Sequence, residues 1–166
     1  MKKIIVIGSG GAGKSTFSKQ LGNALNIEVI HLDALYWKPN WVKTPRDEWT
    51  KIVRDLLEHD SWIMDGNFGG TREMRLKACD TVIFLDLPRR VCLYRVLKRF
   101  FLHRGNTRPD MADGCNEKID IEFISWIWNY PKRNRPRILE GMEHFAEKRL
   151  VILRSTREMD LFLQGL

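Results

Sequence analysis

Gly8, Ser9, Gly10, Gly11, Ala12, Gly13, Lys14, Ser15 and Thr16 follow one another between a short apolar run and an amphipathic stretch. They fit the spacing G-x-x-x-x-G-K-[ST], a loop whose backbone N–H groups turn inward around phosphate oxygens. Glycines serve there because no Cβ blocks the approach. Lys14 reaches the β- and γ-phosphates, and the Ser15 hydroxyl is placed to ligate Mg²⁺. The helix that follows adds the positive potential of its N-terminus. The residues therefore point to a bound nucleoside triphosphate, ATP, with Mg²⁺.

Three carboxylates compete for the roles around such a loop. Asp65 ends the apolar run Trp62-Ile63-Met64 and precedes Gly66-Asn67, where it can hold a Mg²⁺-bound water. Asp86 ends the next apolar run in a similar way, but Leu87-Pro88 follows it and a structural role also fits; Asp65 is the preferred metal-side acid. Asp33 closes the second run, where it either orients or deprotonates an acceptor hydroxyl or simply forms a turn. His31, two residues earlier, reads as packing around the site. Arg95 and Arg99 are spaced i and i+4, as are Arg133 and Arg137, so each pair forms one cationic strip. Converging guanidiniums stabilise a phosphoryl group in flight, although a solvated basic face has the same pattern. Trp37 and Trp41 sit in a polar loop beside Asp33, where stacking on a base or sugar competes with plain packing.

The elements that must position these residues are legible as alternating patterns. Apolar runs at Lys2–Ile7, Ile27–Asp33, Trp62–Asp65, Thr81–Leu87 and Leu150–Leu153 read as five strands. Between them, Ser15–Leu25 and the stretch opened by Thr44-Pro45-Arg46-Asp47 carry helical stripes, with Thr44 expected as N-cap. A short polar helix is expected near Thr71–Ala78, and a long one from Pro88 with Leu93, Val96, Leu97, Phe100 and Phe101 buried. On that phase Arg95 and Arg99 project from another face. His103–Glu117 has no hydrophobic period and reads as a loop. Helix returns near Lys118, with Pro131 and Pro136 expected to kink or break it, and Ser155-Thr156-Arg157-Glu158 has the capping-box pattern. Strands alternating with helices make an α/β layered fold with a mainly parallel sheet.

Composition bounds the rest. The 166 residues suit one domain, residues 1–166, with enough apolar material for a core. The longest apolar runs are too short to span a bilayer, and the run after Lys3 ends too early for a signal peptide. Three cysteines without metal-ligand spacing suggest a reduced, cytoplasmic protein. The net charge of +7 is concentrated. Leu87–Pro109 holds seven Arg or Lys and Tyr130–Arg137 four, neither with an acid; without those eleven, 17 basic residues face 21 acidic ones, a net of −4. A field so concentrated implies a polyanionic partner, either nucleotide phosphates or a DNA backbone.

The phosphate loop, Met64-Asp65-Gly66-Asn67-Phe68, the Asp80–Asp86 run and the Arg95/Arg99 helix together resemble the adenylate-kinase-like group of P-loop kinases, over nearly the whole chain. More narrowly, His31-Leu32-Asp33-Ala34-Leu35-Tyr36-Trp37 and Trp62–Phe68 resemble the DNA topology modulation (FlaR-related) family. The resemblance implies a three-layer P-loop NTPase fold, with a five-stranded parallel sheet in the order 2-3-1-4-5. It also implies a short helical lid inserted near 103–117. Arg95 would then lie beside the adenine, Arg99 on the phosphates, and Arg133 or Arg137 would be the lid arginine. Adenylate kinases carry Asp-Gly-Phe-Pro-Arg where this chain has Asp65-Gly66-Asn67-Phe68-Gly69, so the arginine that grips an acceptor phosphate is missing, with Arg72 or Arg75 as substitutes. The activity implied is an ATP-dependent kinase, a phosphotransferase acting on a small-molecule hydroxyl or phosphate. The expected acceptor side is Asp33, Trp37, Arg46, Asn67 and Arg72. The alternative is a nucleotide-regulated DNA-binding protein that modulates DNA topology, although no nucleic-acid reader module is visible.

Overall fold

The computed structural model describes residues 1–103, 114–115 and 120–166. In chain order the elements are β1 (Lys3–Gly8), α1 (Lys14–Leu25), β2 (Val29–His31), α2 (Leu32–Tyr36), β3 (Trp37–Lys38), β4 (Val42–Lys43) and α3 (Arg46–Leu57). They continue as β5 (Trp62–Asp65), α4 (Gly69–Ala78), β6 (Thr81–Leu85), α5 (Arg89–His103), α6 (Ile121–Arg133), α7 (Arg135–Glu143), β7 (Arg149–Leu153) and α8 (Thr156–Gln164).

Five strands form one sheet in the order β2-β5-β1-β6-β7, every pair parallel, which is the 2-3-1-4-5 order expected. Because side chains alternate along a strand, β1 sends Ile5 and Ile7 to one face and Ile4 and Val6 to the other. Both sets are buried, since helices cover both faces. The first face packs on Trp49 and Val53 of α3, Leu76 of α4, and Ile138 and Met142 of α7. The second packs on Phe17 and Leu21 of α1, Cys92 and Val96 of α5, and Met159 of α8. Helix α6 reaches both, with Tyr130 on the first and Ile127 on the second. Strand β1 has later strands on either side, so the chain leaving its end enters the crevice where parallel sheets bind ligands.

Several expectations are corrected. Strand β2 stops at His31, and Asp33 lies in the first turn of α2 rather than at a strand end. Leu32 and Tyr36 join the same core at i, i+4 spacing, and that burial favours a helical turn over an extended run. The polar tryptophan loop is a two-stranded antiparallel hairpin, β3–β4, turned by a 3₁₀ segment at Pro39–Trp41. Thr44 does not cap α3; its hydroxyl donates to the Tyr36 carbonyl at 2.6 Å and closes the hairpin, while Pro45 occupies the cap. On α5 the buried residues are Cys92 and Val96, whereas Leu97 and Phe101 are exposed at 39% and 72%. Arg95 and Arg99 stand beside that narrower buried stripe, half-buried. Pro131 is accommodated inside α6, and the break comes at Asn134, with Pro136 in the first turn of α7. The Ser155 hydroxyl accepts from the Glu158 N–H at 3.2 Å, as its pattern implies, while the Glu158 carboxylate takes the Arg154 N–H at 2.8 Å.

Of the lid expected near 103–117, residues 104–113 and 116–117 lie outside the described residues. Gly114 and Cys115 rest on the hairpin: the Gly114 carbonyl accepts from Asn40 N–H at 3.1 Å, and the buried Cys115 thiol donates to the Lys38 carbonyl at 3.3 Å. Among the described residues, no helix is long and apolar enough to cross a membrane.

Candidate active site

Strand β1 ends at Gly8 and the chain turns through Ser9–Gly13 into α1. Gly13 caps α1 at φ 93°, and Gly11 has φ 77°, both in the left-handed region. A Cβ on Gly11 would lie 2.2 Å from the Cys92 carbonyl oxygen, so α5 packs against the loop where a side chain would stand. The first turn of α1 carries no acid, which leaves its N-terminal potential uncancelled. The Lys14 ammonium folds back to donate to the Ser9 carbonyl at 3.2 Å.

This loop forms one wall of a cavity of about 710 Å³. Of the site residues expected from the sequence, Gly10, Gly11, Gly13, Lys14, Ser15, Thr16, Asp33, Trp37, Asn67, Arg95 and Arg99 line it. Gly8, Ser9 and Ala12 are buried behind the loop. Arg95 is a strut: its guanidinium donates to the Ala12 carbonyl at 3.2 Å and to the Thr156 hydroxyl at 2.7 Å, tying the loop to α8. Trp37 meets Trp41 edge to face, with centroids 5.5 Å apart, and an aromatic cluster of Tyr36, Trp49 and Phe68 lies behind it.

The structure separates the other candidates from the cavity. Asp65, preferred as the metal-side acid, is 4% exposed and outside the lining; its carboxylate accepts from His31 Nδ1 at 2.9 Å across neighbouring strands. Asp86 accepts from Arg135 Nε at 2.8 Å and holds the end of β6 to α7. Arg46, Arg133 and Arg137 are exposed and also outside the lining. Neither guanidinium expected to stand in for the missing arginine lines the cavity. Arg72 is half-buried on α4, and Arg75 is fully buried beneath the loop that follows β5. The Asn67 side chain is engaged by the backbone. Its Oδ1 accepts from Gly8 N–H at 3.2 Å and its Nδ2 donates to the Gly8 carbonyl at 2.8 Å.

Sequence reasoning missed the wall supplied by α6. Phe123 and Trp126 line the cavity with their rings stacked 5.8 Å apart and 12° from parallel. A Cβ on Gly10 would lie 2.5 Å from Phe123 Cζ, so the ring presses on the phosphate loop. Their i, i+3 spacing was the available signal. Thr156, Met159 and Asp160 of α8 close the far end.

No protein-family model matches the sequence. A Bacillus subtilis (strain 168) protein described as uncharacterized protein YqaC is 28% identical over 131 residues, 78% of this chain and 72% of that one. Among solved structures, shikimate kinase from Acinetobacter baumannii in complex with shikimate superposes with a TM-score of 0.64 at 17% identity. The match covers 99% of this chain and 90% of that one. The fold is that of the shikimate kinases. Shikimate kinase from Bacteroides thetaiotaomicron repeats the match, at a TM-score of 0.58 and 18% identity over 98% and 94% of the two chains. Both likenesses bear on the fold, a five-stranded parallel sheet covered by helices.

Proposed function

We propose that the chain is a Mg·ATP-dependent phosphotransferase that transfers the γ-phosphate to a hydroxyl or phosphate of a small molecule. One observation carries this reading: the Lys14–Thr16 end of the loop, the Asp33 carboxylate and the Arg95/Arg99 strip open into a single cavity. The residues fit the ligand. The Gly11 position admits no side chain, the α1 terminus is uncancelled by acid, and Lys14 and Ser15 face the open volume.

Mg·ATP, when bound, supplies the transferable group and a divalent charge. On the protein side, Lys14 exchanges its Ser9 carbonyl for phosphate oxygens, a trade of a neutral acceptor for a charged one. Ser15 offers the metal its hydroxyl. Asp33 and, on α8, Asp160 are the carboxylates that line the cavity; we assign to Asp33, on the Trp37 side, both the orientation of an acceptor hydroxyl and the metal-side charge, with Asp65 standing behind on His31. Arg99 faces the volume where charge develops, and Arg95 keeps the loop fixed as it does so. Trp37 and the Phe123–Trp126 pair exclude water from the volume between them.

ADP release measured across nucleosides, nucleoside monophosphates, shikimate and other polyols tests the proposal. At least one acceptor should raise ADP release above hydrolysis, and Lys14→Ala should lower kcat/KM by about 10²–10³-fold without loss of fold. Unchanged ATP affinity and turnover in that variant would overturn it.

A further inference from the structure

Arg75 is 0% exposed, and among the described residues no carboxylate pairs with it. Burying an arginine costs several kcal/mol unless its donors are answered, so a buried one has a structural partner worth identifying. Here the two terminal nitrogens are answered by backbone carbonyls on three consecutive residues, while the buried Nε has no partner among the described residues. Nη1 donates to Gly66 at 3.0 Å, and Nη2 donates to Asn67 at 2.8 Å and Phe68 at 3.0 Å. The loop so held is the one that leaves β5, and its middle residue is Asn67. The Asn67 side chain then brackets Gly8, accepting from its N–H and donating to its carbonyl. Gly8 is where β1 becomes the phosphate loop.

We infer that Arg75 is a positioning residue for nucleotide binding, acting through the backbone of Gly66–Phe68 and the Asn67 amide to set the first residue of the phosphate loop. It does not grip an acceptor phosphate, since its guanidinium is closed off beneath the 66–68 loop and does not line the cavity at the Gly8–Thr16 loop. The geometry also explains the residue type. Three carbonyls fanned across one loop need a planar fork with several donors, which an ammonium on a single stem cannot match. Burial lowers the guanidinium to about 9, with the adjacent Arg72 charge adding to the effect, so it stays charged at neutral pH and its hydrogen bonds to the carbonyls stay charge-assisted.

The inference rests on the reading of Gly8–Thr16 as a phosphate cradle, and the test separates the two. Residue-resolved amide exchange in the ligand-free protein reads the positioning directly, because the Gly8 N–H is the donor to Asn67. In Arg75→Met, Gly8 exchange should quicken about tenfold or more, as it does in Asn67→Ala, while Ile83 in central strand β6 keeps its wild-type rate. Affinity for a non-hydrolysable Mg·ATP analogue should fall about tenfold in each single variant and no further in the double, because both act on one contact. Arg75→Lys, which keeps the charge but not the fork, should fall between and serves if Arg75→Met does not fold. Unchanged Gly8 exchange, an equal quickening at Ile83, or additive affinity losses would each overturn the inference. Loss of nucleotide binding in the wild-type protein would instead remove the cradle reading, with Gly8 exchange still deciding whether Arg75 positions the loop.

Discussion

Three carboxylates stand at the carboxyl edge of the sheet, and each has different surroundings. Asp33 lines the cavity, Asp65 is buried on His31, and Asp86 holds Arg135. Removing one charge from each should therefore fail in different ways. Asp33→Asn should lower kcat by about 10²-fold or more with a smaller loss of melting temperature than Asp65→Asn, because its charge is proposed to orient the acceptor hydroxyl and serve the metal side. Asp65→Asn should chiefly destabilise, because the buried Asp65 would no longer offer its half-buried partner His31 a charged acceptor. Asp86→Asn should loosen α7 with little effect on turnover. Steady-state kinetics beside thermal melts of the three variants check this; an inactive, stable Asp65→Asn would return the metal-side role to Asp65. The buried Cys79 thiol is pushed up to about 11, chiefly by burial, and burial also raises Cys92, so neither offers a thiolate nucleophile.

At the scale of elements, the sheet is pinned at its start by one side chain. Asp80, just before β6, accepts from the Lys2 and Lys3 amides at 2.6 and 3.0 Å and from the Thr81 hydroxyl at 2.7 Å. Burial pushes its carboxyl up, but the hydrogen bonds from Thr81, Lys3 and Lys2 outweigh this and hold it below the ordinary carboxylate range. A lowered folded value means that the anion contributes stability above the unfolded pKa of about 4 and loses it as pH falls through the folded value. Because Asp80 is exposed, solvent screening limits the effect. Asp80→Asn should cost less than about 1 kcal/mol at pH 7, and the gap to wild type should close in acid. Chemical denaturation at pH 7 and pH 3 measures both; a gap that stayed constant between them would rule the charge out as its source.

For the whole molecule, the fold disperses what the sequence concentrates. Of the two basic tracts, Arg95 and Arg99 turn into the cavity, Arg135 pairs with Asp86, and Arg89 lies 3.9 Å over the Trp128 ring. Arg90, Lys98, Lys132, Arg133 and Arg137 stay exposed, so among the described residues a cationic surface of the kind that tracks a phosphate backbone is thinned rather than lost. Duplex DNA should bind weakly and lose affinity steeply between low and physiological salt, while Mg·ATP binding in the loop changes far less. Fluorescence anisotropy with a labelled duplex across that salt range checks it, and tight, saturable duplex binding at physiological salt would restore the DNA reading.

The sequence by itself determined whatever depends on neighbours in the chain. The Gly8–Thr16 turn was legible because its residues all lie at one strand–helix junction, between β1 and α1. The five strands were legible because burial on both faces leaves continuous apolar runs, and the capping of α8 by Ser155 because it spans three residues. Tertiary structure alone decided what joins distant segments. His31 meets Asp65 across 34 residues, Asn67 brackets Gly8 across 59, and the Phe123 ring lies against Gly10. Helix phase was the other limit. Breaks at Asn134 and a five-residue α2 reset which side chains face inward, placing Arg133 and Arg137 outside and Asp33 within. A phosphate loop can be read from residue types because its ligand is bound by the backbone; the acceptor's surroundings cannot, because they are assembled by side chains that only sheet order and helix packing bring together.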